Sequence, residues 1–295
     1  MVEKKLNINI DYKKIKVYSE YNVDKINYPM ILSIPHSGIY FPPEFLQNVC
    51  FDELTLRRNE DIFVDKLMQK AIDSGLTAIK MEVSRTFVDL NRDRLEVDPQ
   101  MFFNYPKNRE VLYDKHCRVG LGVIHRINYK RENLYDGLLD YNEVEQRLKN
   151  LYDVYHERLQ QLINKCVKKF GFCLVLDCHS MPSKICTIVD SRKGIDICLG
   201  NLFNQSCPQE MGDLLATQFW NNNYSVEFNC PYSGAYITFH YCQPRNKIYT
   251  LQFEINRSLY ADENTLQAND DFYEVADDVS NAIISFAENL GRMNY

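Results

Sequence analysis

Gly171 to Ser183 reads GFCLVLDCHSMPS, and this stretch decides the fold. Phe172 to Leu176 is a short apolar run opened by glycine and closed by Asp177, Cys178, His179 and Ser180. Such a run is the signature of a strand buried on both faces, as parallel strands are. The strongest helix signal lies immediately before it. From about Tyr141 to Lys169, Val144, Leu148, Leu151, Tyr152, Tyr155, Leu159, Leu162, Ile163, Cys166 and Val167 form one apolar stripe, and Gly171 supplies the stop. Helix followed by buried strand is half of a βαβ unit.

The same alternation extends outward. Met30 to Pro35 (MILSIP) predicts a buried strand, and the first 25 residues read as short strands or an edge hairpin. Between about Asp52 and Ser74, Val64, Leu67, Met68, Ala71 and Ile72 recur at helical spacing, with Gly75 as a stop. Leu76 to Val83, Ile185 to Val189 and Tyr249 to Ile255 predict further strands, and a last helix begins near Asp270. Strands alternating with helices indicate an α/β sheet with helices on its faces. No repeat or Pro/Gly/Ser linker interrupts the chain, so residues 1–295 read as one domain. Residues 91–140 lack sustained periodicity and read as a loop region walling or covering an active site.

Thirty-four basic against forty acidic side chains, a formal charge of −6, exclude a general phosphate-backbone binder, so no nucleic-acid partner is expected. The N-terminus carries no secretory signal, and no apolar run approaches the ~20 residues that span a bilayer. A cytoplasmic protein without membrane contact is expected. The ten cysteines are scattered without a CxxC pair, which predicts reduced, packed thiols. Oligomeric state is not encoded in any of these features.

In open α/β sheets ligands bind beyond the carboxyl ends of the strands. That rule selects His36-Ser37-Gly38, His179-Ser180, Ser84-Arg85, Val88 to Arg92, and Glu254. Two histidines from separate strands plus a carboxylate suit Zn²⁺, with Asp61 and Glu60 as the acidic candidates. The plainer alternative makes each histidine a hydrogen-bonded core residue. Alternation puts Asp177 on the face of His179, where it can orient the imidazole or form a simple buried ion pair. Arg85 and Arg92, with Asn91, have the chemistry of a carboxylate clamp, although Asp89 is a ready structural partner for an arginine. Cys178 adjoins His179 and is not expected to coordinate. His116 and His125 in the loop region and His240 are weak signals, and His156 reads as a helix-packing residue. No GxSxG elbow or papain-like cysteine supports a nucleophilic hydrolase.

These residues fall in segments that resemble the N-formylglutamate amidohydrolases. The matching segments are Pro35 to Gly38, Glu60 to Leu67, Ser84 to Arg92, Gly120 to Ile124, Asp177 to Ser183 and Leu251 to Tyr260, in family order. That family resembles the zinc carboxypeptidases. The resemblance implies a three-layer α/β/α fold with a central mixed, largely parallel sheet. It implies one Zn²⁺ per chain held by His36, His179 and Asp61, with Glu60 in reserve. Carboxypeptidases take their acidic ligand three residues after the first histidine, where Ile39 stands here. It further implies Glu254 as the catalytic base and Arg85, Asn91 and Arg92 as binders of a small anionic N-acyl amino acid, N-formyl-L-glutamate foremost. The rival expectations are another N-acyl amino acid or small amide as substrate, or a non-catalytic domain that binds a small acid. Asn59-Glu60-Asp61, Gly234-Ala235, Tyr241 to Pro244 and Leu199 to Cys207 depart from the family pattern, which bears on substrate choice rather than on the chemistry.

Overall fold

The structure is a computed structural model that describes residues 4–189 and 194–292. Its centre is a seven-stranded sheet formed by β1 (Tyr18–Tyr21), β2 (Met30–Ile34), β3 (Thr77–Met81), β4 (Cys173–Met181), β5 (Ile197–Gly200), β6 (Val226–Phe228) and β7 (Ile248–Asn256). The order across the sheet is β1-β3-β2-β4-β7-β5-β6. β2 runs parallel to β3 and β4, β4 to β7, and β5 to β6, whereas β5 and β7 are antiparallel. The expected mixed, largely parallel α/β sheet is therefore present.

β4 is buried at all nine positions, and β7 at all but Tyr249. Alternation gives their two faces different jobs. Met30, Leu32 and Ile34 of β2, Leu174, Leu176 and Cys178 of β4, and Leu251, Phe253 and Ile255 of β7 belong to one apolar cluster. The cluster includes side chains of helices Val64–Leu67, Gln69–Asp73, Gln209–Asn221 and Phe272–Leu290. Burying nine such strand side chains is worth ~1.5–3 kcal/mol each before entropy is counted. The opposite parity carries Ser33, Asp177, His179, Gln252 and Glu254.

By its contacts the chain divides into two compact units. One comprises Glu20–Ser37, Asp61–Lys80 and Leu159–Tyr295, and holds the apolar cluster just described. The other comprises the described part of Met1–Ser19, Gly38–Glu60 and Met81–Arg158. Its core includes Phe41, Phe45, Phe87 and Tyr135, with the Phe45 ring 5.0 Å from that of Phe87. The guanidinium of the fully buried Arg147 lies 3.8 Å from the Phe87 ring centre. Gly38 allows a close backbone approach in this unit. A Cβ there would lie 2.5 Å from the carbonyl oxygen of Val83, so any side chain must push the segment away.

Three expectations are corrected. The helical pattern of 52–74 is broken into Glu53–Arg57, Val64–Leu67 and Gln69–Asp73. Phe63, at φ 61°, turns the chain between the first and second of these, and the Asp61 N–H is taken by the His36 carbonyl at 3.1 Å. Ile185 to Val189 lies in a helix, Ser183–Val189, despite its β-branched residues. Glu263 accepts the Ser183 N–H at 3.1 Å at its start, and the Ile185 N–H reaches the Pro182 carbonyl at 2.9 Å. Of the N-terminal segment, the described residues form one short strand at the sheet edge, β1, and a 3₁₀ turn, Tyr12–Lys14, and among them there is no hairpin. The long helix is present as Tyr141–Arg147, a π turn over Leu148–Tyr152 and Asp153–Phe170, and Gly171 follows at φ 81°. Within 91–140 only Pro99–Met101 and Lys115–Val119 are helical.

Candidate metal centre and active site

His36 lies two residues beyond β2, and Asp61 is drawn to it by local hydrogen bonds. The Ser37 hydroxyl donates to the Asp61 carbonyl at 3.0 Å and accepts from the Asp65 N–H at 3.3 Å. The Tyr260 hydroxyl donates to the Ile62 carbonyl at 2.9 Å. His179 stands within β4 itself, two residues before its end. The Nδ1 atoms of His36 and His179 lie 3.2 and 2.9 Å from the same oxygen, Oδ2 of Asp61. All three side chains are buried, and together they form a donor group whose atoms lie within 4.8 Å of one another. Two imidazole nitrogens and one carboxylate converging on a point fit a divalent ion of the zinc type, whose ligand atoms sit ~3.4 Å apart when each is ~2.1 Å from a tetrahedral ion.

The surroundings hold this group in place. Asp177, fully buried on the same face of β4, pairs with Nε2 of His179 at 2.9 Å, leaving Nδ1 toward Asp61. This pair has the geometry of a carboxylate that orients a metal-binding histidine, and equally that of a buried ion pair. Burial alone depresses the His179 imidazolium, yet Asp177 and Asp61 outweigh it and raise its pKa well above the ordinary 6.5. Such a site attracts positive charge, and a metal ion competes with that proton. The other oxygen of Asp61 lies 3.4 Å from a terminal nitrogen of Arg257. Arg257 also donates from Nε to the Ser180 hydroxyl at 3.2 Å.

Glu254 is the register partner of His179 across the parallel β4–β7 pair, as Gln252 is of Asp177. It is 7% exposed, and Gln252 donates to its Oε1 at 2.9 Å. Cys178 points the other way, into the apolar cluster, where burial pushes its thiol up and removes it from the donor set. Glu60, the reserve ligand, accepts from Arg57 Nε at 3.0 Å, and burial pushes its carboxyl up to about 7. The donor group contains Asp61 and not Glu60.

The arginine candidates belong to the other unit. Asp89 binds Arg85 through Oδ2, at 2.7 Å from a terminal nitrogen and 3.3 Å from Nε, and its Oδ1 accepts the Asn91 N–H at 2.9 Å. Arg92 donates from Nε to the Leu121 carbonyl at 3.0 Å and from Nη1 to that of Asn91 at 2.8 Å. His125 joins the group, 3.2 Å from Asp89 Oδ2. Burial lowers the His125 pKa against the pull of Asp89, and Arg85 and Arg92 add to the lowering. His156 packs on Tyr152 and lies 3.0 Å from the Leu90 carbonyl, as a helix-packing residue does.

Comparison with known proteins decides the family. The model of the N-formylglutamate amidohydrolase family matches residues 28–261. The chain belongs to the N-formylglutamate amidohydrolase family. Membership makes it an amide-bond hydrolase. It is similar to the N-formylglutamate deformylase of Pseudomonas putida, with 26% identity over 238 residues covering 80% of this chain and 82% of that one. The Pseudomonas aeruginosa N-formylglutamate deformylase is 27% identical over 244 residues, covering 80% and 83%. The crystal structure of N-formylglutamate amidohydrolase from Ralstonia eutropha superposes with a TM-score of 0.88 at 26% identity, covering 94% of this chain and 99% of that one. No helix among the described residues is long and apolar enough to cross a membrane.

Sequence reasoning gave no role to Arg257, Gln252 or His125. Arg257 and Gln252 lie within the matched segment Leu251 to Tyr260, three and two residues from Glu254. A signal was therefore present for these two. His125 stands among irregular residues, where no periodicity indicates which side chain turns inward.

Proposed function

We propose that this member of the N-formylglutamate amidohydrolase family is a zinc enzyme that hydrolyses N-formyl-L-glutamate, or a closely similar acidic N-formyl amino acid, to formate and the free amino acid. The observation that carries the proposal is the buried His36–Asp61–His179 donor group with Glu254 in register beside His179. The deformylase names of the Pseudomonas relatives support the substrate. A zinc ion in this donor set supplies Lewis acidity toward the formyl oxygen and makes water a nucleophile near neutral pH.

Glu254 takes one proton from the attacking water and delivers it to the amide nitrogen as the C–N bond breaks, which is worth ~10²–10⁴ in rate. Gln252 orients the Glu254 carboxylate through the 2.9 Å hydrogen bond to Oε1. Asp177 fixes the ring of His179, and Arg257 anchors Asp61 from its other oxygen. Arg85, Asn91 and Arg92 hold the substrate carboxylates. Asp89 keeps the Arg85 fork rigid, so less side-chain freedom is lost on binding.

Release of the free amino acid from a panel of N-formyl and N-acetyl amino acids tests this directly. Formylglutamate should give the highest kcat/KM. Glu254→Gln should lose ~10²–10⁴ in kcat at unchanged zinc content. Equal rates across the panel refute the substrate, and an active Glu254→Gln enzyme refutes the base.

A further inference from the structure

A second group of ligating side chains lies away from the donor set of His36, Asp61 and His179, in the irregular segment 91–140. Glu96, Asp114 and His116 bring one donor atom each to within 4.8 Å of one another. Nδ1 of His116 is 2.9 Å from Oδ2 of Asp114 and 3.5 Å from Oε2 of Glu96. One imidazole nitrogen carries at most one hydrogen, and the nearer Asp114 oxygen takes it. Oε2 of Glu96 is buried, and no hydrogen-bond donor among the described residues reaches it. Leaving a buried carboxylate oxygen in that state costs ~1–3 kcal/mol or more.

The oxygen is held there by the fold rather than left there by disorder. Oε1 of Glu96 accepts the Asp93 N–H at 3.0 Å, and its carbonyl accepts the Val123 N–H at 2.8 Å. Gly122 makes the approach possible, since a Cβ there would lie 2.2 Å from the Glu96 carbonyl oxygen. Asp114 is fixed as well, its Oδ1 accepting the N–H groups of His116 and Cys117 at 2.8 and 3.0 Å. The buried Cys117 thiol, next to His116 in the chain, is not part of this donor group.

We propose that Glu96, Asp114 and His116 form a second, structural metal site for a divalent transition ion of the zinc type. A metal ion replaces the single shared hydrogen and satisfies all three donor atoms at once. One nitrogen and two carboxylate oxygens suit Zn²⁺ or Mn²⁺. The side chains of His116 and Asp114 are 33% and 26% exposed, so water reaches the remaining coordination positions. The ion ties Glu96 to the helix Lys115–Val119. The same stretch supplies the Leu121 carbonyl that holds Arg92 and the Val123 carbonyl that accepts the Asp89 N–H at 2.9 Å. Occupancy therefore stiffens the backbone that carries these two residues.

The test is zinc titration of chelator-stripped, full-length protein by calorimetry, with metal analysis after dialysis. The wild type should bind two equivalents, and His36→Ala, Glu96→Gln and His116→Asn one each. Saturating zinc should raise the Tm of His36→Ala, and the rise should vanish in His36→Ala/His116→Asn. Should Glu96→Gln fail to fold, the half-exposed His116→Asn gives the same reading. Two equivalents in both Glu96→Gln and His116→Asn, or a single equivalent in the wild type that these variants leave unchanged, overturns the site. Loss of hydrolysis does not enter this test, so its outcome is separate from that of the proposed activity.

Discussion

At the scale of single residues, the proposed metal centre rests on side chains that do not touch the ion. Arg257 lies 3.4 Å from Asp61 Oδ1 and reaches Ser180 as well. Arg257→Leu should weaken zinc affinity by about 10–100-fold, read by competition with a chelating dye, while kcat at saturating zinc stays near the wild-type value. His125 gives a pH prediction. Its pKa is lowered below the ordinary 6.5 in the folded protein, chiefly by burial. The unfolded chain then binds a proton near pH 6 that the folded chain does not, so stability falls as pH drops below about 6.5. Melting curves between pH 5 and 8 should show this loss, and His125→Gln should flatten it. The residues that sequence alone made legible, His36, His179 and Glu254, follow or lie in buried strands, where an isolated polar side chain stands out. Arg257 did not stand out, because its partners Asp61 and Ser180 come from segments far away in the chain.

At the scale of elements, legibility followed burial. β2 and the first half of β4 were readable because strands covered on both faces are apolar runs, and β7 because Leu251, Phe253 and Ile255 alternate with polar residues. β6 was not, since Val226 and Phe228 are only partly buried and Glu227 is exposed, and the helix Gln209–Asn221 mixes polar residues into a weak stripe. The Ser183–Val189 helix was misread because Pro182 and Glu263 set its start against the β preference of its side chains. The helix Tyr141–Arg147 supplies a stability prediction. Arg147 is fully buried, pairs with Glu143 at 2.6 Å, and donates to the Phe87 carbonyl at 3.0 Å. Arg147→Met strands the Glu143 carboxylate and should cost ~3–5 kcal/mol in urea unfolding. Arg147→Met with Glu143→Leu should recover a large part of that loss.

At the scale of the whole molecule, the −6 charge and the local arginines have different reach. Under the proposed function, an anionic substrate is attracted by Arg85 and Arg92 at short range, not by the protein as a whole. Metal binding should register in the stability of the entire chain, because ligands from β4 and from the segments after β2 are brought together only on folding. Chelation should lower the Tm, and the Tm should climb with the logarithm of added zinc above the dissociation constant. One feature of β4 limits how such a chain can change. Cys178 and His179 are neighbours with opposite destinations, one among the helices and the other toward Asp61. Inserting or deleting one residue within Cys173–Cys178 exchanges them, burying the imidazole in hydrocarbon and presenting a thiol to Asp61. The site is thus written in the parity of the strand. Single-residue length changes are tolerable only in the connecting loops, whereas inside β4 or β7 only changes of two preserve which face each side chain serves.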